Sequence, residues 1–126
     1  MTTFTKTTAK TLVALAAAFA LLIGVTACAT SDKIDMTKVT AVIDVRTADE
    51  FAAGHLEGAV NYDVEGSDFV AQVSTLDTNG TYVLYCHSGR RAGIALDAMK
   101  AIGFNNLTNA GGIDDAAKAT GLAIVQ

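Results

Sequence analysis

The sequence predicts an α/β domain in which a small parallel β-sheet is flanked by helices. Predicted strands and helices alternate four times along the chain, and this order favours parallel strands joined by crossover helices. The first strand segment, residues 39–45, is almost continuously apolar, as in a strand buried on both faces. A chain of 126 residues has room for one such domain.

Local signals mark the first half of this order. After the strand at 39–45, Thr47 is followed three residues later by Glu50, a capping-box pattern that begins a helix. Gly54 is expected to end that short helix. A second strand is predicted over residues 59–62, where apolar and polar residues follow a turn.

The second half repeats the pattern with longer elements. The predicted elements are a helix over 67–76, a strand over 81–85, a helix over 91–102 that Gly103 ends, a strand over 106–109 and a weak helix over 113–119. Helical spacing predicts that two sets of side chains face inward, namely Phe69, Val70, Val73 and Leu76 on the first of these helices and Ile94, Ala95, Ala98 and Ile102 on the second.

The N-terminus has the pattern of an export signal. Lys6 and Lys10 precede a run of 14 apolar residues over 12–25, and small residues follow. The run is shorter than the roughly 20 apolar residues of a membrane-spanning helix. We therefore expect a signal peptide over residues 1–27, a polar tether over 28–38 and the folded domain over 39–126.

The end of this signal, residues 25–28 (VTAC), resembles the lipobox of bacterial lipoproteins. The resemblance implies that Cys28 is acylated and that the domain is held in the cell envelope, in the periplasm or on the outer face of a bacterial membrane. The alternatives are an ordinary cleaved signal and an uncleaved anchor helix. Both alternatives also place the domain outside the cytoplasm.

The charge and the cysteines of the remaining chain limit its function. After Cys28 there are seven basic and 13 acidic residues, a net charge of −6. Binding to nucleic acid needs clustered Lys and Arg, so we exclude that class and expect a soluble monomer on its anchor. If Cys28 is acylated, Cys86 has no internal disulfide partner. It is then either a reactive thiol or an inert buried residue.

The neighbours of Cys86 favour reactivity. The segment 86–91 (CHSGRR) follows a predicted strand and precedes the longest helix, where parallel sheets bind ligands. With Gly89 allowing a tight bend, the amides of residues 87–91 can form a concave anion site at the helix N-terminus. His87, Arg90 and Arg91 add positive charge, and this setting favours a thiolate at Cys86 and an anion of the size of thiosulfate.

A cysteine and an arginine around an anion site are also found in tyrosine-type phosphatases. In those enzymes five residues separate the two, whereas four separate Cys86 from Arg91. The smaller ring fits a sulfane sulfur better than a phosphate group. A phosphatase is therefore the least favoured of the enzymatic interpretations.

Flanking motifs connect the loop to a family. Residues 43–51 (IDVRTADEF) with 54–60 (GHLEGAV), then 85–92 (YCHSGRRA), then 109–113 (NAGGI) resemble, in order and spacing, the signatures of rhodanese-like sulfurtransferases. The greatest similarity is to small single-domain periplasmic members of the phage-shock type. Three departures are the absence of proline, a shortened N-terminal part of the domain, and Asp114-Asp115-Ala116 where an aromatic residue is common.

This resemblance implies a two-step transfer without a cofactor or metal. The Cys86 thiolate would attack the outer sulfur of thiosulfate, release sulfite and hold a persulfide. Cyanide or a thiol would then accept that sulfur. The backbone amides of Ser88, Gly89, Arg90 and Arg91 would stabilise the persulfide charge. The alternative is a persulfide carrier or thiol-redox interaction module that does not turn thiosulfate over efficiently.

Several residues of the motifs have a structural and a functional interpretation. Asp44 and Arg46 could brace the active loop, but a simple ion pair of Arg46 with Asp44 or Glu50 is favoured. His55 is expected to cap backbone and Arg91 to close the loop, with Arg90 pointing outward. Four aromatic residues are expected in the core or at its rim, namely Phe51, Phe69, Tyr82 and Tyr85. Gly111 and Gly112 are expected to form a turn beside the loop.

Overall fold

The computed structural model describes residues 32–126, so the predicted signal peptide and Cys28 lie outside the described residues. The strands are β1 (Ala41–Asp44), β2 (His55–Leu56), β3 (Val60–Asn61), β4 (Thr81–Cys86), β5 (Asn106–Gly112) and β6 (Ile124–Val125). The helices are α1 (Ala48–Ala53), α2 (Phe69–Val73), α3 (Arg90–Ala101) and α4 (Ile113–Thr120).

The main sheet has the order β3-β1-β4-β5, and all three pairings are parallel. Helices α2 and α3 cover one face, where Ile43 and Leu84 contribute to the larger hydrophobic cluster. Helix α4 covers the other face, where Val42 and Val83 belong to a second cluster. Neighbouring strand residues thus face opposite clusters, as β geometry requires. The predicted α/β fold with a parallel sheet is confirmed.

A second, antiparallel pair of strands was not predicted. Strand β6 pairs with β2, with His55 opposite Val125 and Leu56 opposite Ile124. Each strand has only two residues, which is too short for a recognisable alternation of apolar and polar side chains. The pair attaches the C-terminus of the chain to the segment that follows α1.

The predicted inward faces of α2 and α3 are partly wrong. Val70, Ile94 and Ile102 are exposed, and Ile94 retains 51% of its accessible surface. On α3 the buried residues are Ala92, Ala95 and Met99. The small side chains of the two alanines fit where the helix packs against β4 and β5. Ile94 and Ile102 lie on an adjacent stripe of the same helix. Helical spacing does not distinguish between the two apolar stripes, so the prediction chose the wrong face.

The predicted tether is also too long. Ile34 and Met36 are half-buried against the second cluster, and the Ile34 N–H donates to the carbonyl of Ala119 at 2.8 Å. A 3₁₀ turn follows over Met36–Lys38, capped by the side chain of Asp35. The prediction of a tether over 28–38 is therefore wrong for residues 34–38. The apolar side chains of Ile34 and Met36, at alternate positions, pack this segment against the domain.

Within residues 32–126, no helix combines the length and the apolar character that crossing a membrane would require.

Candidate active site

Cys86 lies at the carboxyl end of β4, in the middle of the main sheet. Its side chain is almost fully buried, with 1% exposure. Cys86 is the one cysteine among residues 32–126, and its thiol forms no disulfide there. The register between β4 and β5 shifts between Leu84 and Cys86, so the strand is irregular where the loop begins. Cys86 was predicted to follow the strand, whereas it is the last residue of β4, and α3, the longest of the described helices, begins four residues later.

Gly89 contacts the sulfur of Cys86 directly. Its backbone N–H donates to Cys86 Sγ at 2.9 Å. Gly89 has φ of +92° and precedes the first residue of α3, Arg90. A residue with a side chain is strained in that conformation. The bend that Gly89 permits therefore directs a backbone N–H at the sulfur, at the positive end of a 12-residue helix.

The end of β5 forms one wall of the loop. A Cβ atom added to Gly112 would collide with the carbonyl oxygen of His87. A Cβ atom added to Gly89 would lie 3.2 Å from the Cα of Gly111. Gly111 and Gly112 thus lie beside the active loop as expected, although they belong to a strand and not to a turn.

Asn109 connects this wall to the loop. Its Nδ2 donates to the carbonyl of Gly89 at 2.9 Å, and its Oδ1 accepts from the N–H of Gly111 at 2.9 Å. No role for Asn109 was predicted from the sequence. The available signal was an asparagine two residues before a glycine pair, in the motif of residues 109–113 (NAGGI).

The guanidinium of Arg91 is held by a carboxylate from α1. Arg91 Nη1 and Nη2 donate to the two carboxylate oxygens of Glu50, each at 2.8 Å. Hydrogen bonding to Arg91 lowers the pKa of Glu50 to about 2, and hydrogen bonding to Glu50 raises the pKa of Arg91. The predicted capping box of Thr47 and Glu50 is confirmed. The suggested pairing of Glu50 with Arg46 is wrong.

The remaining side chains of the loop face solvent. His87, Ser88 and Arg90 are all exposed, as expected for Arg90. Arg90 makes no ion pair within residues 32–126, whereas the neighbouring Arg91 is engaged by Glu50. Arg90 therefore carries the unpaired positive charge nearest in sequence to Cys86.

Asp44 and Arg46 form a buried ion pair at the end of β1. Arg46 Nη2 donates to Asp44 Oδ2 at 2.7 Å and to the carbonyl of Gly54 at 2.6 Å. Hydrogen bonding to Asp44 raises the pKa of Arg46. In the described part of the chain, neither side chain hydrogen-bonds to residues 86–91. The favoured interpretation as an ion pair agrees with this geometry, and bracing of the loop stays a prediction.

The other candidate residues have structural surroundings. His55 Nδ1 lies 2.9 Å from the carbonyl of Phe51, and the two rings stack at 3.8 Å between centroids. Since a carbonyl only accepts, His55 Nδ1 carries a proton and caps backbone, as expected. Phe69, Tyr82 and Tyr85 are buried core residues. In the range 32–126, no three His, Cys, Asp or Glu side chains gather closely enough to hold a metal ion.

Comparison with known proteins agrees with this architecture. Residues 27–119 match the rhodanese-like domain family. The chain belongs to the rhodanese-like domain family. The resemblance seen in the motifs around residues 43–60, 85–92 and 109–113 is thereby confirmed, and the family supports sulfurtransferase activity at a general level.

Individual relatives are about 30% identical to this chain over the aligned segments. Thiosulfate sulfurtransferase PspE of Escherichia coli is 32% identical over 75 residues, which are 60% of this chain and 72% of PspE. A Bacillus subtilis protein, YrkF, provisionally named a sulfur carrier protein, is 30% identical over 77 residues, which are 61% of this chain and 40% of YrkF. A solved structure described as rhodanese with anions from Escherichia coli superimposes with a TM-score of 0.56 and 28% identity, covering 68% of this chain and 96% of that one.

Proposed function

We propose that this protein is a sulfurtransferase that moves a sulfane sulfur from thiosulfate to a thiol or to cyanide through a persulfide on Cys86. The observation that carries the proposal is the position of Cys86 Sγ, at the end of β4 and 2.9 Å from the Gly89 amide. The similarity to a relative named thiosulfate sulfurtransferase supports the choice of donor.

In the first half-reaction the Cys86 thiolate attacks the outer sulfur of thiosulfate. A bond forms between Sγ and that sulfur, the sulfur–sulfur bond of thiosulfate breaks, and its electron pair leaves with sulfite. In the second half-reaction an acceptor thiolate or cyanide attacks the outer sulfur of the persulfide. The electron pair of the Sγ–S bond then returns to Cys86, so that the transfer proceeds through a covalent intermediate.

The loop supplies hydrogen bonds and charge for both steps. The Gly89 amide already donates to Sγ. The amide of Ser88 precedes it in the loop, and those of Arg90 and Arg91 follow it in the first turn of α3. Donors fixed in place stabilise a developing negative charge without reorganising. Arg90 attracts the donor anion from solvent, while Arg91, held by Glu50, fixes the start of the helix.

The test uses the full-length protein with thiosulfate and then cyanide. We expect a mass increase of one sulfur atom on Cys86 after the first addition and thiocyanate after the second. Cys86→Ser, which keeps the size of the side chain, should give neither product. The proposal is wrong if the wild type forms no persulfide, or if Cys86→Ser produces as much thiocyanate as the wild type.

A second candidate function is that of a persulfide carrier, favoured by the similarity to YrkF. In a carrier, Cys86 acquires the sulfur but small acceptors remove it slowly. The two functions differ in the second half-reaction of the same experiment. A persulfide that forms within minutes and persists in cyanide points to the carrier, whereas rapid thiocyanate formation points to the enzyme.

The proposal places this activity in the cell envelope, with the domain anchored through acylated Cys28. It is supported by the basic start, the apolar run and the VTAC segment of residues 1–28. Stable anchoring takes more than one acyl chain, which lipoprotein cysteines receive. Labelling of cells with a radioactive fatty acid should mark the protein, and Cys28→Ala should abolish the label. A label that persists in Cys28→Ala contradicts the anchor at that position.

A further inference from the structure

Asp115 places a carboxylate close to the active loop. It lies in the first turn of α4, and its Oδ2 is 3.5 Å from the position that a Cβ on Gly111 would take. Gly111 in turn packs against Gly89, whose amide donates to Cys86 Sγ. These contacts connect the carboxylate to the sulfur through two glycines, over a distance comparable to the Debye length, which is about 10 Å at 0.1 M salt.

The charge of Asp115 is not neutralised by its surroundings. The residue is exposed, and among residues 32–126 its carboxylate takes part in no hydrogen bond or ion pair. By contrast, the charge of Glu50 is neutralised by its bidentate ion pair with Arg91. Arg90 and Asp115 are thus unpaired charges of opposite sign, one on α3 and one on α4.

We infer that Asp115 is a specificity-determining residue, which sets how strongly the site discriminates between sulfur donors of different negative charge. The inference rests on the proposed function, because it concerns the donor of the first half-reaction. Arg90 attracts every anionic donor, and Asp115 opposes that attraction in proportion to the charge of the donor. A dianion is disfavoured more strongly than a monoanion with the same reacting sulfur.

Two donors isolate this effect. Thiosulfate carries two negative charges, and methanethiosulfonate carries one, because a methyl group replaces one of the sulfonate oxygens. The reaction at Cys86 is the same in both. A bond forms between Sγ and the outer sulfur, the bond between the two donor sulfurs breaks, and its electron pair leaves with sulfite or with methanesulfinate. Any change that affects the Cys86 thiolate itself cancels in the ratio of the two rates.

The experiment compares full-length wild type with Asp115→Asn and measures kcat/KM for both donors. At low ionic strength we expect Asp115→Asn to raise the value for thiosulfate about five- to eightfold and that for methanethiosulfonate about two- to threefold, as Coulomb's law gives for exposed charges roughly 10 Å apart when solvent keeps the effective dielectric constant at about 50–80. The thiosulfate-to-methanethiosulfonate ratio thus rises about two- to threefold. In about 1 M salt, where the Debye length is about 3 Å, the change in ratio should disappear.

Asp77→Asn is the matched control. It removes the same charge from the turn before β4, at the opposite end of the strand from Cys86, and an Asn side chain can still accept from the N–H of Asn79 as Asp77 does. We expect the donor ratio of this variant to equal that of the wild type. The inference is overturned if Asp115→Asn changes both donors by the same factor, or changes their ratio no more than Asp77→Asn does.

A second measurement does not depend on sulfur transfer. Alkylation of Cys86 by iodoacetate, an anion, is compared with alkylation by neutral iodoacetamide, and mass spectrometry of the peptide that contains Cys86 follows both. Asp115→Asn should raise the ratio of the iodoacetate rate to the iodoacetamide rate about two- to threefold. If neither donor forms a persulfide while this ratio still rises, the proposed function fails and the charge effect of Asp115 stands. An unchanged alkylation ratio contradicts the inference even in an active enzyme.

Discussion

Residues 32–126 contain two arginine–carboxylate pairs that differ in where they lie and in what they connect. Arg46 and Asp44 are two residues apart, and their side chains are 7% and 0% exposed. Arg91 and Glu50 are 41 residues apart in sequence, and their side chains are 17% and 36% exposed. The first pair fixes the end of β1 to the Gly54 segment. The second connects α1 to the start of α3, beside Cys86.

The difference shows two uses of the same chemistry. A buried pair is costly to break, because the remaining charge cannot return to water. A pair near the surface contributes less, because solvent screens it, but it can orient a functional element without making the fold depend on it. We therefore expect the inner pair to govern stability and the outer pair to govern the geometry of the active loop.

Removal of Asp44 should have the largest effect on stability. In Asp44→Ala, the buried guanidinium of Arg46 loses its carboxylate, and we expect the free energy of unfolding to fall by about 3–5 kcal/mol. Urea denaturation followed by circular dichroism measures this change. The double variant Asp44→Ala with Arg46→Met is the control, since it removes both charges and should recover part of the loss. A loss below about 1 kcal/mol would show that the inner pair is no more important than a surface pair.

Breaking the outer pair should cost much less. Glu50→Gln keeps an oxygen for the capping box but loses the charge that holds Arg91, and we expect a loss of about 1 kcal/mol, the upper part of the range for exposed pairs. The control is Glu57→Gln, an exposed glutamate that makes no ion pair within residues 32–126. If Glu50→Gln destabilises as much as Asp44→Ala, the distinction between the two pairs is wrong.

The pH dependence of stability should identify the contribution of Glu50. Its pKa is lowered from 4.5 to about 2, chiefly by hydrogen bonding to Arg91, so the folded protein favours the carboxylate more than the unfolded chain does. The resulting stabilisation is fully present above about pH 4.5 and is lost as the pH falls towards 2. We expect the stability difference between wild type and Glu50→Gln to be constant from neutral pH to pH 5 and to shrink below it. A difference that grows in acid contradicts this assignment.

The smallest effect on stability is expected at Arg90, the arginine without an intramolecular partner among the described residues. Arg90→Gln should change the free energy of unfolding by less than about 0.5 kcal/mol, as for other exposed residues. The KM for thiosulfate should nevertheless rise severalfold, because the approaching anion loses its unpaired positive partner. Steady-state kinetics at low salt, with Lys100→Gln on the last turn of α3 as a charge control, measures this. An equal rise in KM in both variants would mean that only net charge matters.

The features that could be predicted from the sequence are those with local signals. The apolar side chains of residues 39–45 predict a buried strand. Thr47 and Glu50 predict the start of a helix, because the capping box needs only contacts within four residues. The position of Cys86 between a strand and a helix was also predictable, because the apolar strand, Gly89 and the start of the helix follow one another within a short segment.

The features that could not be predicted depend on tertiary packing. Helix α3 has two stripes of apolar residues, and the sheet accepts the one with Ala92 and Ala95 because space between helix and strands is limited there. The contact of Glu50 with Arg91 depends on how α1 lies against the loop. The Asn109 bridge similarly requires β5 to pass next to Gly89. None of these distances is encoded in a spacing along the chain.

The close contact of Gly112 with the carbonyl of His87 has a consequence for how the active loop keeps its shape. The curvature of residues 86–91 is imposed by the neighbouring strand β5. Its residues Gly111 and Gly112 pack so closely against the backbone of the loop that no side chain fits between them at position 112. A peptide with the sequence CHSGRR, or the same six residues transplanted to a scaffold without such a strand, would lack the support that holds the Gly89 amide on the sulfur. A single methyl group at position 112 should likewise displace the loop without altering any residue within it.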